Sequence, residues 1–443
     1  MGKKIFSFAF VVLCLAICAV LSVGFLASGP SAAGANEVLS SEPALTTRDG
    51  GPNYGFLGDC AEYFNDHFFM RRELISAHNM LVTELFSSSP EDSVLLGSDG
   101  WLYYGSTIDD YTGRAKRSER ELYSMARNLF LMQEYCAQRG MDFLFTAAPN
   151  KNSVYPEHMP DLGAVSSEHD VERLYALLDG MDVGYLDLHE PFEAENDVLY
   201  FAHDSHWNTR GAALAADAIN SALGRGSSYF DGPFDIESPH SGDLYEMLYP
   251  AMDDPESDML YGGELVCDYG GGPSRPDSIT LNTTGAGEGS LLCYRDSFGE
   301  LLHPFLADSF ASARFSRSTS YDLTGDYDCV VIELVERNLG YLLSYLPVMP
   351  SPVRELPEAE AGDVTVAVGL QNGVTVPEGC ALWRGTLASG PDAGSPVYIV
   401  SGGEAYECFL LAGGGFAAYM PEGAQPERVA YYANGVLTAC NAG

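Results

Sequence analysis

The chain is predicted to fold as an α/β protein, a parallel sheet covered by helices on both faces, followed by a small β-rich module. Two observations point there. Between residues 119 and 334, short apolar runs alternate with longer amphipathic segments. The runs are continuously apolar, as strands buried on both faces are. Beyond residue 362 the helical period disappears, and short Val- and Tyr-containing runs are spaced by glycines, the pattern of a β module.

Taken in order, the elements begin with an apolar N-terminus. Lys3 and Lys4 precede residues 5–27, a run of 23 residues without a charge. That exceeds the core of a signal peptide and matches the about 20 residues that cross a bilayer. The lysines predict the N-terminus inside and the rest of the chain outside. The segment reads as an uncleaved signal anchor, with Ala32-Ala33-Gly34-Ala35 as the alternative cleavage site that would release the body. Residues 28–53 are rich in Ser, Ala, Gly and Pro and read as a tether.

The body spans 54–348. A helix is expected over 59–86, and two short strands around a tight turn over 94–104. Residues 119–139 carry a helical stripe through Leu122, Met125, Leu129, Met132 and Cys136, with Gly140 as its stop. Buried strands follow at 143–148, 183–188, 291–294 and 329–334. Helices are expected at 171–178, 209–223 and 299–310. Residues 349–362, with Pro350, Pro352, Pro357 and three glutamates, read as a linker. Residues 363–443 form the β-rich module.

The formal net charge is −39 over 443 residues. Such a surface repels nucleic acid and excludes it as a partner. It also disfavours an anionic polymer as substrate unless the cleft is locally basic. Ten cysteines occur and no C-x-x-C, so a zinc ribbon is not supported. Cys380, Cys408 and Cys440 are placed to pair locally in an exported chain. Cys293 and Cys329 lie in apolar runs and read as buried thiols.

Two segments carry chemistry. In His203-Asp204-Ser205-His206-Trp207, residues 204 and 206 point the same way if the segment is extended. A carboxylate there fixes the imidazole tautomer for a general base. Arg295-Asp296-Ser297-Phe298-Gly299 lies between a buried strand and a helix, at the edge where open α/β sheets bind ligands. The helix start offers free N–H groups to an oxyanion. Each segment also has a plainer reading, as surface decoration or as a capped helix. His203, Asp204 and His206 form a competing, weaker metal set, and Asp296 and His303 are alternative partners of the serine.

Several motifs in order resemble the DHHW family, similar to alginate O-acetyltransferases with an SGNH-hydrolase-like domain. They are Tyr63-Phe64-Asn65-Asp66-His67-Phe68, Leu96-Gly97-Ser98-Asp99-Gly100-Trp101-Leu102-Tyr103, Pro149-Asn150-Lys151, Asp204-Ser205-His206-Trp207, Ser241-Gly242-Asp243-Leu244, Arg295 to Gly299 and Glu333 to Asn338. Ser205 departs from the family's usual central His. The resemblance covers about residues 55–350. It implies a three-layer α/β/α domain in which Asp-x-His precedes Ser, a permuted order. It implies Ser297, His206 and Asp204 as a catalytic triad with no cofactor or metal. Asn150, Lys151, Arg295 and Arg337 are further candidates for oxyanion or substrate binding, with Asn150 as a second oxyanion donor beside the Ser297 N–H; the plainer readings are a turn residue for Asn150 and structural ion pairs for the two arginines. The resemblance further implies acetyl transfer to a cell-surface or exported polysaccharide at the outer face of the membrane, with a membrane-bound O-acyltransferase as acyl source. An acetylesterase and a non-catalytic glycan-binding protein are the rival readings.

Overall fold

A computed structural model describes residues 2–30, 38–387 and 390–443. The expected cleavage stretch and residues 31–37 of the tether lie outside the described residues. Helix α1 (Gly2–Ser28) is long and apolar enough to cross a membrane. The helix expected over 59–86 is two helices, α2 (Phe56–His67) and α3 (Arg71–Phe86). Phe68 is extended and Met70 left-handed at φ 61°, so the chain turns between them. That elbow brings Phe69 against Gly24 of α1. Strands β1 (Val94–Leu96) and β2 (Leu102–Tyr104) pair as the expected hairpin. Asp99 and Gly100 both have positive φ, as tight hairpin turns require.

Past the short helix α4 (Ile108–Tyr111), and with a second short helix, α6 (Lys151–Val154), after the first strand of the main sheet, the body alternates as predicted. Helix α5 (Glu119–Gln138) leads into β3 (Asp142–Ala148), and α7 (Asp170–Gly180) into β4 (Tyr185–Asp187). Then come α8 (His189–Glu193) and α9 (Thr209–Ala222), the hairpin β5 (Phe234–His240) with β6 (Glu256–Tyr261), and α10 (Asp243–Leu248) between those two strands. Strands β7 (Thr280–Thr284) and β8 (Ser290–Tyr294), α11 (Gly299–Ser309), β9 (Ser312–Ser316), β10 (Ser320–Asp322) and β11 (Cys329–Val335) complete it.

The central sheet runs β4-β3-β11-β8-β9-β7. Its first five strands are parallel, and β7 closes the edge antiparallel to β9. Alternate residues of the strands enter two cores. Phe145, Leu292, Val330 and Ile332 pack with α5 and α7. Leu144, Leu291, Cys293 and Val331 pack with α9 and α11. The strand ends at Ala148, Tyr294 and Val335 therefore open on one edge of the sheet.

The C-terminal part is β-rich as expected, with sheets of six and four strands enclosing a core around Ile399, Phe416 and Val429. It starts earlier than composition suggested. Val353–Arg354 and Glu360–Val366, within or overlapping the expected linker, are strands at the two edges of the larger sheet. Edge positions tolerate the nearby prolines. The module is bonded to α5. Glu407, fully buried, joins Arg127 at 2.6 Å and Arg354 at 2.7 Å, and the Asn128 amide bridges Leu342 and Leu410 carbonyls. All ten cysteines are free thiols, so the local pairing expected of Cys380, Cys408 and Cys440 is not formed.

Candidate active site

Three loops meet at the open edge of the sheet. The first, residues 201–208, runs into the N-terminus of α9, where the Asn208 side chain caps Gly211 N–H at 3.0 Å. The second carries Ser297 between β8 and α11. The third follows β11 and holds Glu336, Arg337 and Asn338. Trp207, fully buried, ties the first two: its indole N–H donates to the Phe298 carbonyl at 3.0 Å.

Asp204, His206 and Ser297 are brought together. Ser297 Oγ lies 2.8 Å from His206 Nε2. His206 Nδ1 lies 2.6 Å from Asp204 Oδ1, which also accepts the His206 backbone N–H at 2.9 Å. The other carboxylate oxygen is held as well. His240 Nε2 donates to Oδ2 at 2.9 Å and the Asp243 N–H at 3.0 Å. Gly242 permits this approach, because a Cβ there would sit 2.2 Å from the His203 carbonyl oxygen. Asp243 in turn accepts from Ser205 N–H and Oγ, both at 2.7 Å.

The electrostatics follow from this packing. Burial opposes ionisation of Asp204, but hydrogen bonds from His206 and His240 outweigh it and hold its pKa well below the usual carboxylate value. Burial also opposes a charged His206; the Asp204 bond and charge, with Asp243, prevail and raise its pKa. His240 is raised by the same carboxylate against its own burial. Burial and the charge of Asp204 raise Asp243. Asp204, His206 and Asp243 offer ligand atoms within 4.8 Å of one another. Both Asp204 oxygens and both Asp243 oxygens already accept hydrogen bonds, however, and Ser297 occupies Nε2. His203, of the competing metal set, turns toward the Asp254 carbonyl and stacks on Tyr245.

The other candidates are dispersed. Lys151 is buried behind the 201–204 loop, where its ammonium donates to the carbonyls of Phe201, Ala202 and Asp204 at 3.0, 2.9 and 2.7 Å. Burial lowers its pKa to about 7, with Asp204, Asp243 and Glu256 pulling the other way. Arg295 is buried too, clamping the Asp296 carbonyl at 3.1 Å and the carbonyls of Pro276 and Ser278. Asn150 lines a smaller neighbouring pocket, its amide oxygen buried and without a partner. Of the four, Arg337 faces the triad. Its guanidinium lies over the rings of Tyr104 and Phe298, 5.3 and 5.2 Å from their centroids. No carboxylate pairs with it among the described residues. Asp296 is committed to Phe298 and Val335 N–H groups and to the Asn338 amide. His303 lies between the Glu300 carbonyl and the Tyr269 hydroxyl, its pKa lowered to about 4 by burial and by Arg295. Neither competes for Ser297.

Sequence reasoning missed His240 and Asn338. His240 adjoins the Ser241-Gly242-Asp243-Leu244 motif, and Asn338 ends the Glu333–Asn338 motif; the position beside a motif was the available signal. The triad opens into a cavity of about 840 Å³ lined by Tyr104, Phe201, Arg337, Asn338 and Tyr341 among others, within the size of small-molecule sites.

Part of the chain is similar to known proteins. Residues 94–255 match the family described as the SGNH hydrolase-like domain of the acetyltransferase AlgX. The resemblance read from the motifs is real. The probable alginate O-acetylase AlgJ of Pseudomonas syringae pv. tomato is 25% identical over 198 residues, 42% of this chain and 49% of that protein. AlgJ of Pseudomonas putida is 26% identical over 204 residues, 44% of this chain and 52% of that protein. The chain thus spans about half the length of the curated relatives it matches. Among solved structures, Bacillus cereus PatB1 aligns with 56% of this chain and 96% of its own at 17% identity and TM-score 0.42. A DHHW family protein from Eubacterium siraeum aligns with 58% of this chain and 97% of its own at 15% identity and TM-score 0.42. Residues 94–255 thus resemble the SGNH hydrolase-like domain of an acetyltransferase, and the curated relatives similar to this chain are named as probable O-acetylases.

Proposed function

We propose that the protein is an O-acetyltransferase acting at the outer face of the membrane, using Ser297, His206 and Asp204. The observation that carries this reading is the unbroken hydrogen-bonded chain from Asp204 through His206 to Ser297. His206 Nε2 takes the Ser297 proton as Oγ attacks the acyl carbonyl carbon. The tetrahedral oxyanion is met by the Ser297 N–H and by the Asn338 amide. That amide lines the cavity and has one hydrogen beyond the one given to Asp296. Asn150, the second donor considered from the sequence, lines the neighbouring pocket instead. Collapse of the intermediate breaks the bond to the donor's oxygen, which leaves with the proton from His206, and an acyl-serine remains. A glycan hydroxyl then gives its proton to His206 Nε2, attacks the ester carbon and regenerates Ser297 as the proton returns.

The acceptor fits a neutral glycan. The cavity wall carries Asp243, Asp277 and Glu300 against Arg317 and Arg337, and Arg317 is already paired to Glu300 at 2.8 Å. A uniformly acidic polymer would meet no basic surplus there. Relatives named as alginate O-acetylases support a polysaccharide acceptor in general. The acyl group is expected from a membrane-bound O-acyltransferase. The test is acetyl transfer from a chromogenic ester to a neutral oligosaccharide, followed by mass spectrometry. Acetylated sugar that disappears in S297A supports the reading. Ester hydrolysis with no acetylated sugar at any acceptor concentration makes the protein an esterase instead.

A further inference from the structure

Helix α3 is built inside out. Its polar side faces the protein: Arg72 pairs with Glu246 at 3.2 Å, Ser76 Oγ accepts the Ala251 N–H at 2.8 Å, and the buried Asn79 amide donates to the Leu248 carbonyl at 2.8 Å. Its apolar side faces out. Leu74, Ala77, Leu81 and Leu85 recur at three and four residues and so form one stripe. Its leucines are 43% to 65% exposed. A surface helix of a soluble domain has the opposite arrangement, and a continuous exposed apolar stripe marks a surface that something covers.

The position of the anchor says what covers it. In the last turn of the apolar span, Phe25 packs edge-on against Tyr63 and Phe64 of α2, with ring centroids 6.2 and 5.6 Å apart. One residue earlier, Gly24 lies against Phe69 in the elbow, so closely that a Cβ would sit 2.4 Å from that ring. Phe25 is three residues, about 4.5 Å of helix rise, from the end of α1 at Ser28. The elbow, and the start of α3 with it, is thereby held at the level where the span leaves the hydrocarbon.

We infer that the exposed stripe of α3 lies in the outer interfacial layer of the bilayer that α1 crosses, a second attachment beside the anchor. Interfacial helices bury an apolar face about 5–10 Å deep, and α3 presents one rigidly because its polar face is bonded to the body. Glu73 and Glu84 flank the stripe, which suits zwitterionic rather than anionic lipid. The attachment reaches the site through α10. Leu248 and Glu246, which bind α3, lie on the helix that begins with Asp243, the residue that holds Ser205 and donates to Asp204. Two attachments fix the orientation of the body on the membrane, where one flexible anchor would leave it free. The inference rests on reading α1 as a membrane span and is independent of the chemistry assigned to Ser297.

The test uses the full chain in phosphatidylcholine nanodiscs, with plain or acyl-brominated lipid. The native tryptophans, Trp101, Trp207 and Trp383, are at most 9% exposed and give a low quenching background. L81W and L85W each place an indole on the stripe. F10W in α1 is the control for insertion, and L370W on the C-terminal module the control for bulk solvent. The expected result is loss of about half of the added emission for L81W or L85W in brominated lipid, with L370W unchanged and F10W quenched. Two variants guard against one failing to fold. Quenching of F10W while L81W and L85W match L370W overturns the inference, and points to a protein as the occupant of the stripe. Absence of quenching in F10W overturns the span and the inference together, while leaving the ester chemistry of the same preparation to be assayed separately.

Discussion

Replacing Asp204 by Asn tests how the site holds its base. The carboxylate accepts four hydrogen bonds, two from His206 and one each from His240 and the Asp243 N–H. An Asn side chain has one acceptor oxygen and one NH2. Whichever way it turns, the NH2 faces a donor. If it faces His206 Nδ1, that nitrogen must become the acceptor and Nε2 carries the proton, so it can no longer take one from Ser297. If it turns the other way, it opposes His240 and the Asp243 N–H and loosens the loop. The imidazolium formed during attack also loses its counter-charge. Where an orienting carboxylate is removed from such a triad the cost is about 10⁴-fold in turnover, about 5 kcal/mol. The pH profile gives a second, independent reading. The working form of His206 is the free base, so kcat/KM rises with pH, and its half-point in the parent protein lies above the ordinary imidazole value of about 6.5 because His206 is raised. In D204N the carboxylate charge that offsets the burial of His206 is gone, and the half-point moves down. Chromogenic ester hydrolysis from pH 5 to 9 measures both. D204N within about tenfold of the parent, with an unmoved half-point, would refute the orienting role.

Three further outcomes follow from the same contacts. H240F keeps the stack on Phe201, whose centroid lies 3.8 Å from the His240 ring, but removes one hydrogen bond to a buried carboxylate; kcat/KM is expected to fall about 10- to 100-fold with KM little changed. R337M removes the cation of the cavity wall that has no carboxylate partner, so the acceptor KM should rise about tenfold while ester hydrolysis without acceptor stays within about twofold; an unchanged acceptor KM removes Arg337 from recognition. E407A leaves Arg127 without its carboxylate while Arg354 keeps Glu134, which should cost about 3 kcal/mol, read as a lower urea midpoint, with ester hydrolysis at 25 °C retained.

Much of this site was legible in the sequence because its parts are local. Asp204 and His206 are two residues apart, and Ser297 follows an apolar strand and precedes a helix; both patterns survive without knowledge of the fold. Their meeting was not legible from spacing, since it depends on α9 and α11 packing side by side and on the Trp207 indole reaching Phe298; only the ordered family motifs joined them. His240 was invisible for a different reason. It ends β5, whose residues Phe234–His240 are mostly exposed or half-buried and include Asp, Glu, Ser and Pro, so no alternation announced a strand. Strand β9 does alternate, with Ala313 and Phe315 buried and Ser312 and Arg314 exposed, but five residues with two serines and an arginine carry too little apolar signal to announce it. The strands buried on both faces, β3, β8 and β11, were plain because burial demands an apolar run. Lys151 and Arg295 misled by type: cations within the matching motifs suggest substrate, yet both are spent on backbone carbonyls. The break between α2 and α3 was hidden because residues 67–71 hold no Gly or Pro to announce it, and the turn packs against Gly24 of α1.

The central claim is that Ser297 is a nucleophile activated by His206. The direct measurement is covalent labelling of the purified full chain with a fluorophosphonate, read by peptide mass spectrometry. One adduct on the peptide containing Ser297, lost in S297A and strongly slowed in H206A, is the predicted result. Labelling of S297A at the parent rate would contradict it.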